Sequence, residues 1–185
     1  MLDVQGLNEY IDTYFTRTLF RLETLDQYEV ASDGSDFARY LQGEPEPDWD
    51  RKGPWLDHLR DEARRGLYRH RVHVLRGPLG DYLRYECEWG YAYNARAGED
   101  IRILDLAETP EPTGLVDHDF WLIDDERVLR MHYDEAGQFV GAEELPRDAT
   151  ARYREARDAA WNHGTPFESY WAEHPQYWRG SAHAA

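Results

Sequence analysis

The chain has 185 residues, is 41% hydrophobic and 14% aromatic, and carries a net charge of −16 from 37 acidic and 21 basic residues. That length and composition suit one domain with its own core and exclude a disordered polymer. The acidity disfavours direct contact with nucleic acid or an anionic membrane and favours basic partners.

Cys87 is the only cysteine, which excludes an internal disulfide framework and a cysteine-rich metal site. Lys52 is the only lysine, so 20 of the 21 basic residues are arginine. No apolar run approaches the ~18 residues of a membrane span, and "MLDVQGLNEYIDTYF" lacks a signal-type apolar core. A cytoplasmic protein is expected, with no membrane partner and no cofactor.

From the N-terminus, Leu7, Tyr10, Ile11, Tyr14, Phe15 and Leu19 recur at helical spacing. "LFRLETLDQYEV" reads as extended in parts. "SDFARYLQG" reads as a short helix capped by Ser35 or Asp36, and "EPEPDWDRKGP" as a proline-rich connection. "WLDHLRDEARRGL" places Trp55, Leu56, Leu59, Ala63 and Leu67 on one helix face. "RVHVL" (71–75) is a β-branched strand. The run 78–98 reads as a helix opened by Pro78 and closed near Gly98, and "IRILDL" (101–106) as another strand. Three short strands follow, "DFWLID", "RVLRMHY" and "QFVGAEEL", with Gly137 in a left-handed turn position. Asp148 is expected to cap a last helix that Gly164 ends.

This order predicts an α+β fold of α/β-like character. A crossover makes "RVHVL" and "IRILDL" parallel, the meander extends the sheet antiparallel, and helices cover its faces. The domain spans 1–185: a helical and extended segment (1–50), an α/β core (51–163) and an aromatic C-terminal tail (164–185). Phe167, Tyr170, Trp171, Tyr177 and Trp178 either pack back on the domain or present a patch to a partner or a second copy in a homodimer.

Several groups of side chains are candidates for chemistry. "DHD" (Asp117, His118, Asp119) offers carboxylate and imidazole, but on a strand the two acids share a face that His118 does not. No second ligand motif accompanies them, and no metal site is expected. "HRVH" sets His70 and His73 on opposite faces. Cys87, at helical spacing from Leu83 and Tyr91, reads as a buried small hydrophobe. On "RVLRMHY", Leu129, Met131 and Tyr133 form the core row, and Arg130 and His132 the other. Arg21 and Glu23 share a face of an extended segment. Arg84 and Glu88 stand at i,i+4, with Glu86 beside them and Asp81 one turn before. These are either structural ion pairs or a polar pocket shared by Arg84, Arg21 and Asp119 that takes a small ligand. Trp171 and Trp178 are the candidates for partner contact.

The motifs "FRLETLDQY", "RVHVLRGPLGDYLRYE", "NARAGEDIRIL", "DHDFWLID" and "DAAW", in that order from Phe20 to Trp161, resemble an uncharacterised actinobacterial family. Its members are typically encoded beside helix-turn-helix regulators of the Xre type. The order from "EARRGLYRHRVHVL" to "HDFWLIDD" is also similar to one half of the phospholipase D fold, a likeness of topology alone. The phospholipase D superfamily uses His-x-Lys-x₄-Asp, in which His attacks phosphorus and Lys offsets phosphoryl charge. His118 and Asp125 keep that spacing, but Phe120 replaces the lysine and two carboxylates flank the histidine. No catalytic residue is therefore assigned.

Two classes of function follow. One is a non-catalytic binding or regulatory module that works with a helix-turn-helix regulator through protein contact or a sensed ligand; an acidic antagonist of a DNA-binding face is a variant of it. The other is an enzyme with a site built around Arg21, Arg84, His118 and Asp119.

Overall fold

The computed structural model describes residues 1–29 and 35–180. Helix α1 (Val4–Tyr14) begins where the Asp3 carboxylate accepts the Gly6 N–H at 2.8 Å. It stops before Leu19, short of the expected stripe, because the backbone N–H groups of Thr16, Arg17 and Thr18 turn to the Asp124 carboxylate. Leu19 therefore lies in strand β1 (Thr18–Glu23). Helix α2 (Asp36–Leu41) follows, then α3 (Trp49–Arg64), strand β2 (Tyr68–Leu75) and α4 (Asp81–Tyr85). A π-helical turn (Glu86–Tyr91) joins α4 to α5 (Ala92–Ala97). Strands β3 (Asp100–Asp105), β4 (Phe120–Ile123), β5 (Arg127–Tyr133) and β6 (Phe139–Glu144) come next. Helix α6 (Thr150–His163), a two-residue strand β7 (Thr165–Pro166), α7 (Phe167–Glu173) and a 3₁₀ turn (Pro175–Tyr177) follow.

The seven strands form one mixed sheet in the order β6-β5-β4-β1-β2-β3-β7. The expected parallel pairing of "RVHVL" with "IRILDL" is present, with His73 opposite Ile103. β1 adds a second parallel pair on the other side of β2, with Glu23 opposite His73. All other pairings are antiparallel, including the β4-β5-β6 meander. Gly137 turns the β5–β6 hairpin at φ +81°, and a Cβ there would meet the Gln27 carbonyl oxygen at 2.7 Å. Among the described residues no helix is long and apolar enough to cross a membrane.

Alternation along the strands divides the buried side chains between two faces. Phe20, Leu22, Val72, Val74, Leu104, Phe120, Leu122 and Val128 pack under Tyr153, Ala156 and Ala160 of α6. On the opposite face Leu19, Trp121, Ile123, Leu129 and Met131 meet Leu7, Ile11 and Phe15. Farther along that face Leu75, Ile101 and Ile103 meet Leu83, Cys87, Tyr91, Phe167 and Tyr170. The aromatic tail thus packs back through Phe167 and Tyr170, while Trp178 stays 42% exposed.

Several helix boundaries differ from expectation for local reasons. α3 starts at Trp49, inside the proline-rich connection, because Asp48 accepts the Asp50 N–H, and it carries Pro54 within its length. Its buried face is Leu56, Leu59 and Glu62 while Trp55 stays half-exposed, since Glu62 turns inward to meet Arg69. The helix after Pro78 opens at Asp81, preceded by Gly80. Gly98 does end α5, at φ +115° and packed so closely that a Cβ would lie 2.8 Å from the Ala63 Cβ. Asp148 does not cap α6: it sits in a 3₁₀ turn (Arg147–Ala149), and Ala149 occupies the cap position without a side-chain bond. Ser35 likewise precedes α2 without a capping bond. Asp36 instead accepts the Asp48 N–H at 3.0 Å and pairs with Arg51 at 2.8 Å.

Candidate functional site

The sheet face between the two apolar patches is charged. On β2 every second residue points to it, so Arg69, Arg71 and His73 form one row. On β1 the same face holds Arg21 and Glu23, and Asp119 enters it just before β4. Glu99, one residue beyond the left-handed Gly98, and Tyr91, from the π-helical turn, close over this row from the helical side.

The geometry is that of a dense ionic network. Arg71 donates through Nε to Glu99 Oε1 at 2.7 Å and through Nη1 to Glu23 Oε2 at 3.0 Å. Asn94 Nδ2 donates to the second Glu99 oxygen at 3.0 Å. Tyr91 donates to Glu23 Oε2 at 2.9 Å, and Arg21 Nε lies 2.9 Å from Glu23 Oε1. The Thr24 N–H and hydroxyl donate to Asp119 Oδ1, each at 2.8 Å, and Tyr28 donates to Oδ2 at 2.7 Å. Arg21 Nη2 donates to the Tyr133 hydroxyl at 3.0 Å and stands 3.5 Å from Asp119. Trp121 and Tyr28 present ring faces to the Arg21 guanidinium at 4.9 and 5.7 Å.

His73 completes the network. Its Nε2 lies 2.9 Å from the Leu25 carbonyl, which only accepts, so that nitrogen bears a proton. Its Nδ1 lies 2.6 Å from the Tyr91 hydroxyl, whose own proton goes to Glu23. Beside this network Arg69 makes a two-pronged pair with Glu62, both bonds 2.7 Å, and His58 reaches Glu62 at 2.9 Å.

Burial and charge act in opposite directions on these groups. Burial alone would raise the Glu23 carboxyl, but Arg71 and Arg21 hold it far below the usual carboxylate range. For Asp119 burial outweighs the pull of Arg21, and its pKa is raised. Burial pushes Tyr133 up to about 12 and raises Tyr28 and Tyr91, so the phenols stay protonated and act as donors. Burial likewise raises the Cys87 thiol, which makes it a poor nucleophile.

Of the residues singled out from sequence, Arg21, Glu23 and Asp119 meet in this network. Arg84 lies elsewhere, and the pocket expected from Arg21, Arg84 and Asp119 does not form. Arg84 donates to the Tyr177 carbonyl at 2.8 Å and pairs with Asp81 at 3.7 Å, tying down the tail. Glu86 is half-buried in the π-helical turn beside Gly90, where a Cβ would approach its carboxylate to 2.7 Å. Trp171 stacks on Phe167, and its carbonyl accepts the Trp178 indole N–H at 2.8 Å.

"DHDFWLID" is the first meander strand with its approach. Phe120 and Leu122 face α6, and Trp121 and Ile123 face α1, as the alternation requires. His118 is half-buried before the strand, with Nε2 2.8 Å from the Tyr153 hydroxyl and Nδ1 3.1 Å from exposed Asp117. Burial lowers its pKa despite Asp117. Asp125, at the far end of the strand, pairs with Arg157 at 2.8 Å, and the phenyl ring of Phe120 lies in the core. Arg130 stands opposite Phe120 and Glu143, and His132 Nε2 lies 3.3 Å from Glu143. Among the described residues no group of three or more His, Cys, Asp or Glu side chains is placed to hold a metal ion.

Sequence reading missed Arg71, Glu99 and Tyr28, and it placed His73, Tyr91 and Tyr133 without assigning them to a charged site. "RHRVH" did carry a signal, a row of cationic side chains at strand period; their partners come from distant segments. Two surface clefts, one lined by Thr16, Arg17 and Arg127 and the other by Arg60, Arg64 and Arg96, involve no member of the network.

Comparison with curated proteins finds no match. A family model matches residues 5–172, which include the sheet, the ionic network and most of α7. The chain belongs to the family described as Domain of unknown function (DUF6879).

Proposed function

We propose that the chain is a non-catalytic binding or regulatory module of the cytoplasm that acts by contact with a basic protein. An Xre-type helix-turn-helix regulator is the expected partner. One observation carries the non-catalytic part: all six oxygens of Glu23, Glu99 and Asp119 already lie against protein donors or cations. A catalytic carboxylate needs a free oxygen for substrate, and here each is matched from within. The net charge of −16 supports a basic partner, and the resemblance to proteins encoded beside such regulators supports its identity.

The test is co-elution of the chain with an Xre-type helix-turn-helix regulator from its own genome, at micromolar concentration and low salt. A complex that weakens as salt rises is expected; separate elution at low salt overturns the reading. DNA binding by the regulator, lost as the chain is added, would specify an antagonist. Hydrolysis of generic phosphodiesters by wild type but not by His118→Ala would restore an enzyme.

One observation favours a second reading, small-ligand sensing at Arg21. Its buried Nε stands 2.9 Å from Glu23 Oε1 without hydrogen-bond alignment, and its Nη2 is 3.5 Å from Asp119. Small anions that raise the melting temperature of wild type but not of Arg21→Gln would support it.

A further inference from the structure

The C-terminal segment ends in a contact that the ionic network does not explain. Arg179 lies over the ring of Tyr40 at 4.7 Å and over that of Trp89 at 5.1 Å. Those two rings meet edge to face, 86° apart with centroids separated by 5.4 Å, so they form a corner with two aromatic walls. Acceptors complete the corner. Glu88 Oε2 lies 3.4 Å from Arg179 Nε, and Oε1 accepts the Arg179 backbone N–H at 2.5 Å. The carbonyl oxygen of Glu44 accepts from Nη1, and that of Pro45 from Nη2 at 3.3 Å.

Three separate pieces of chain build this corner: Tyr40 from α2, the carbonyls from the loop after it, and Glu88 with Trp89 from the π-helical turn. A planar, delocalised cation satisfies flat rings and in-plane acceptors together, whereas an ammonium group is compact, strongly hydrated and unable to spread over both. The chemistry selects arginine. Next to the corner, Arg84 binds the carbonyls of Tyr177 and Trp178, at 2.8 and 3.5 Å. Those bonds read main chain and tolerate any side chain.

We infer that this corner is a receptor for an arginine-bearing peptide segment of a basic partner, and that the chain's own Arg179 occupies it in cis. The tail is suited to exchange: Trp178 and Gly180 on either side of Arg179 are exposed, and Arg179 itself is only half-buried. The net charge of −16 raises the local concentration of such a segment. Because the cis arginine competes, occupancy by a partner is set by the effective concentration of the tail.

The inference rests on the binding-module reading only for the origin of the peptide, so the test uses synthetic probes. Acetyl-Tyr-Trp-Arg-Gly-amide, copying residues 177–180, is labelled and titrated into full-length wild type and Arg179→Ala, with fluorescence anisotropy as readout. The Arg179→Ala protein should bind at least about tenfold more tightly than wild type, and a peptide with lysine in place of arginine at least about tenfold more weakly. Adding Glu88→Gln to Arg179→Ala should reverse the gain. Should Arg179→Ala fail to fold, Arg179→Lys provides the same comparison. Equal binding by wild type and variant, or equal binding of the arginine and lysine peptides, overturns the proposal. Either result leaves co-elution with the regulator as an independent measurement.

Discussion

Both faces of the central sheet are covered, by opposite means. Beneath α6 the contact is mainly aliphatic and aromatic, and Ala156 and Ala160 let the helix approach rows of Phe, Leu and Val. On the other face the middle of the sheet is ionic, and guanidinium and carboxylate groups stand where leucines would serve a purely structural core. An apolar layer depends on volume, and neighbours relax around a loss. The ionic layer depends on matching, and removal of one partner leaves a buried charge with no solvent to accept it.

The sharpest way to break that comparison is Arg71→Ala, which strands Glu23 and Glu99 together. A loss of about 5 kcal/mol in urea unfolding, or failure to fold, is expected. Arg69→Met combined with Glu62→Leu removes both members of the neighbouring pair and should cost far less than Arg69→Ala alone. If single and double variants were equally unstable, packing and not charge matching would govern this face.

How much of this was legible in the sequence follows from the same contrast. The apolar layer has a period, and period is what a sequence displays: the alternation in "FWLI" placed Phe120 and Trp121 on opposite faces, as found. The ionic layer shows only half of itself. Arg21, Glu23 and Asp119 were recognisable as charged residues on extended segments, but Glu99 reaches Arg71 across 28 positions and Tyr91 reaches Glu23 across 68. No local pattern announces such a match. Arg84 was misplaced because i,i+4 pairing assumes an α-helix. The π-helical turn from Glu86 to Tyr91 breaks that register, so Glu88 faces Arg179 while Arg84 faces the tail carbonyls. Asp148 is displaced from the cap by the 3₁₀ turn before α6, whereas Ser35 does hold the cap position of α2, without a side-chain bond.

Trp121→Ala comes next in size, because this side chain belongs to both kinds of layer. It packs on α1 and also forms a wall 4.9 Å from the Arg21 guanidinium. A loss of about 3–5 kcal/mol is expected from equilibrium unfolding. Trp121→Phe should retain more than half of it by keeping a ring beside Arg21.

His70 tests the apolar side by pH. Its ring is buried among Phe20, Tyr68 and Trp161, and its Nδ1 has no hydrogen-bond partner. Burial lowers its pKa from the usual 6.5 to about 4. The unfolded chain therefore takes up this proton more readily than the folded one. Stability from the neutral ring is fully present above pH 6.5 and declines as pH falls towards 4, by up to about 3 kcal/mol. His174, whose pKa is raised through its bonds to Glu108 and Tyr170 against the effect of burial, acts with the other sign: its contribution is lost as pH rises. In thermal melts His70→Phe should flatten the decline between pH 6.5 and 4.5, leaving the loss at lower pH, where Glu23 protonates in the unfolded chain but not yet in the folded one. An unchanged profile would show that another group controls the acid limb.

The smallest effect is expected at His118, the residue that most invites a chemical reading. It belongs to neither layer. One ring nitrogen meets Tyr153 at 2.8 Å, and the other meets Asp117, whose carboxylate is 95% exposed and so screened by water. Its lowered pKa reflects partial burial, and replacement removes one hydrogen bond that solvent at the strand end can replace. His118→Ala should therefore shift the urea midpoint by the equivalent of about 0.5 kcal/mol. A loss above about 2 kcal/mol would place His118 within the charge-matched layer, since only a desolvated partner left unpaired costs that much. The distinction between the faces would then fail at the edge of the sheet, where Arg130 and Tyr153 approach this histidine.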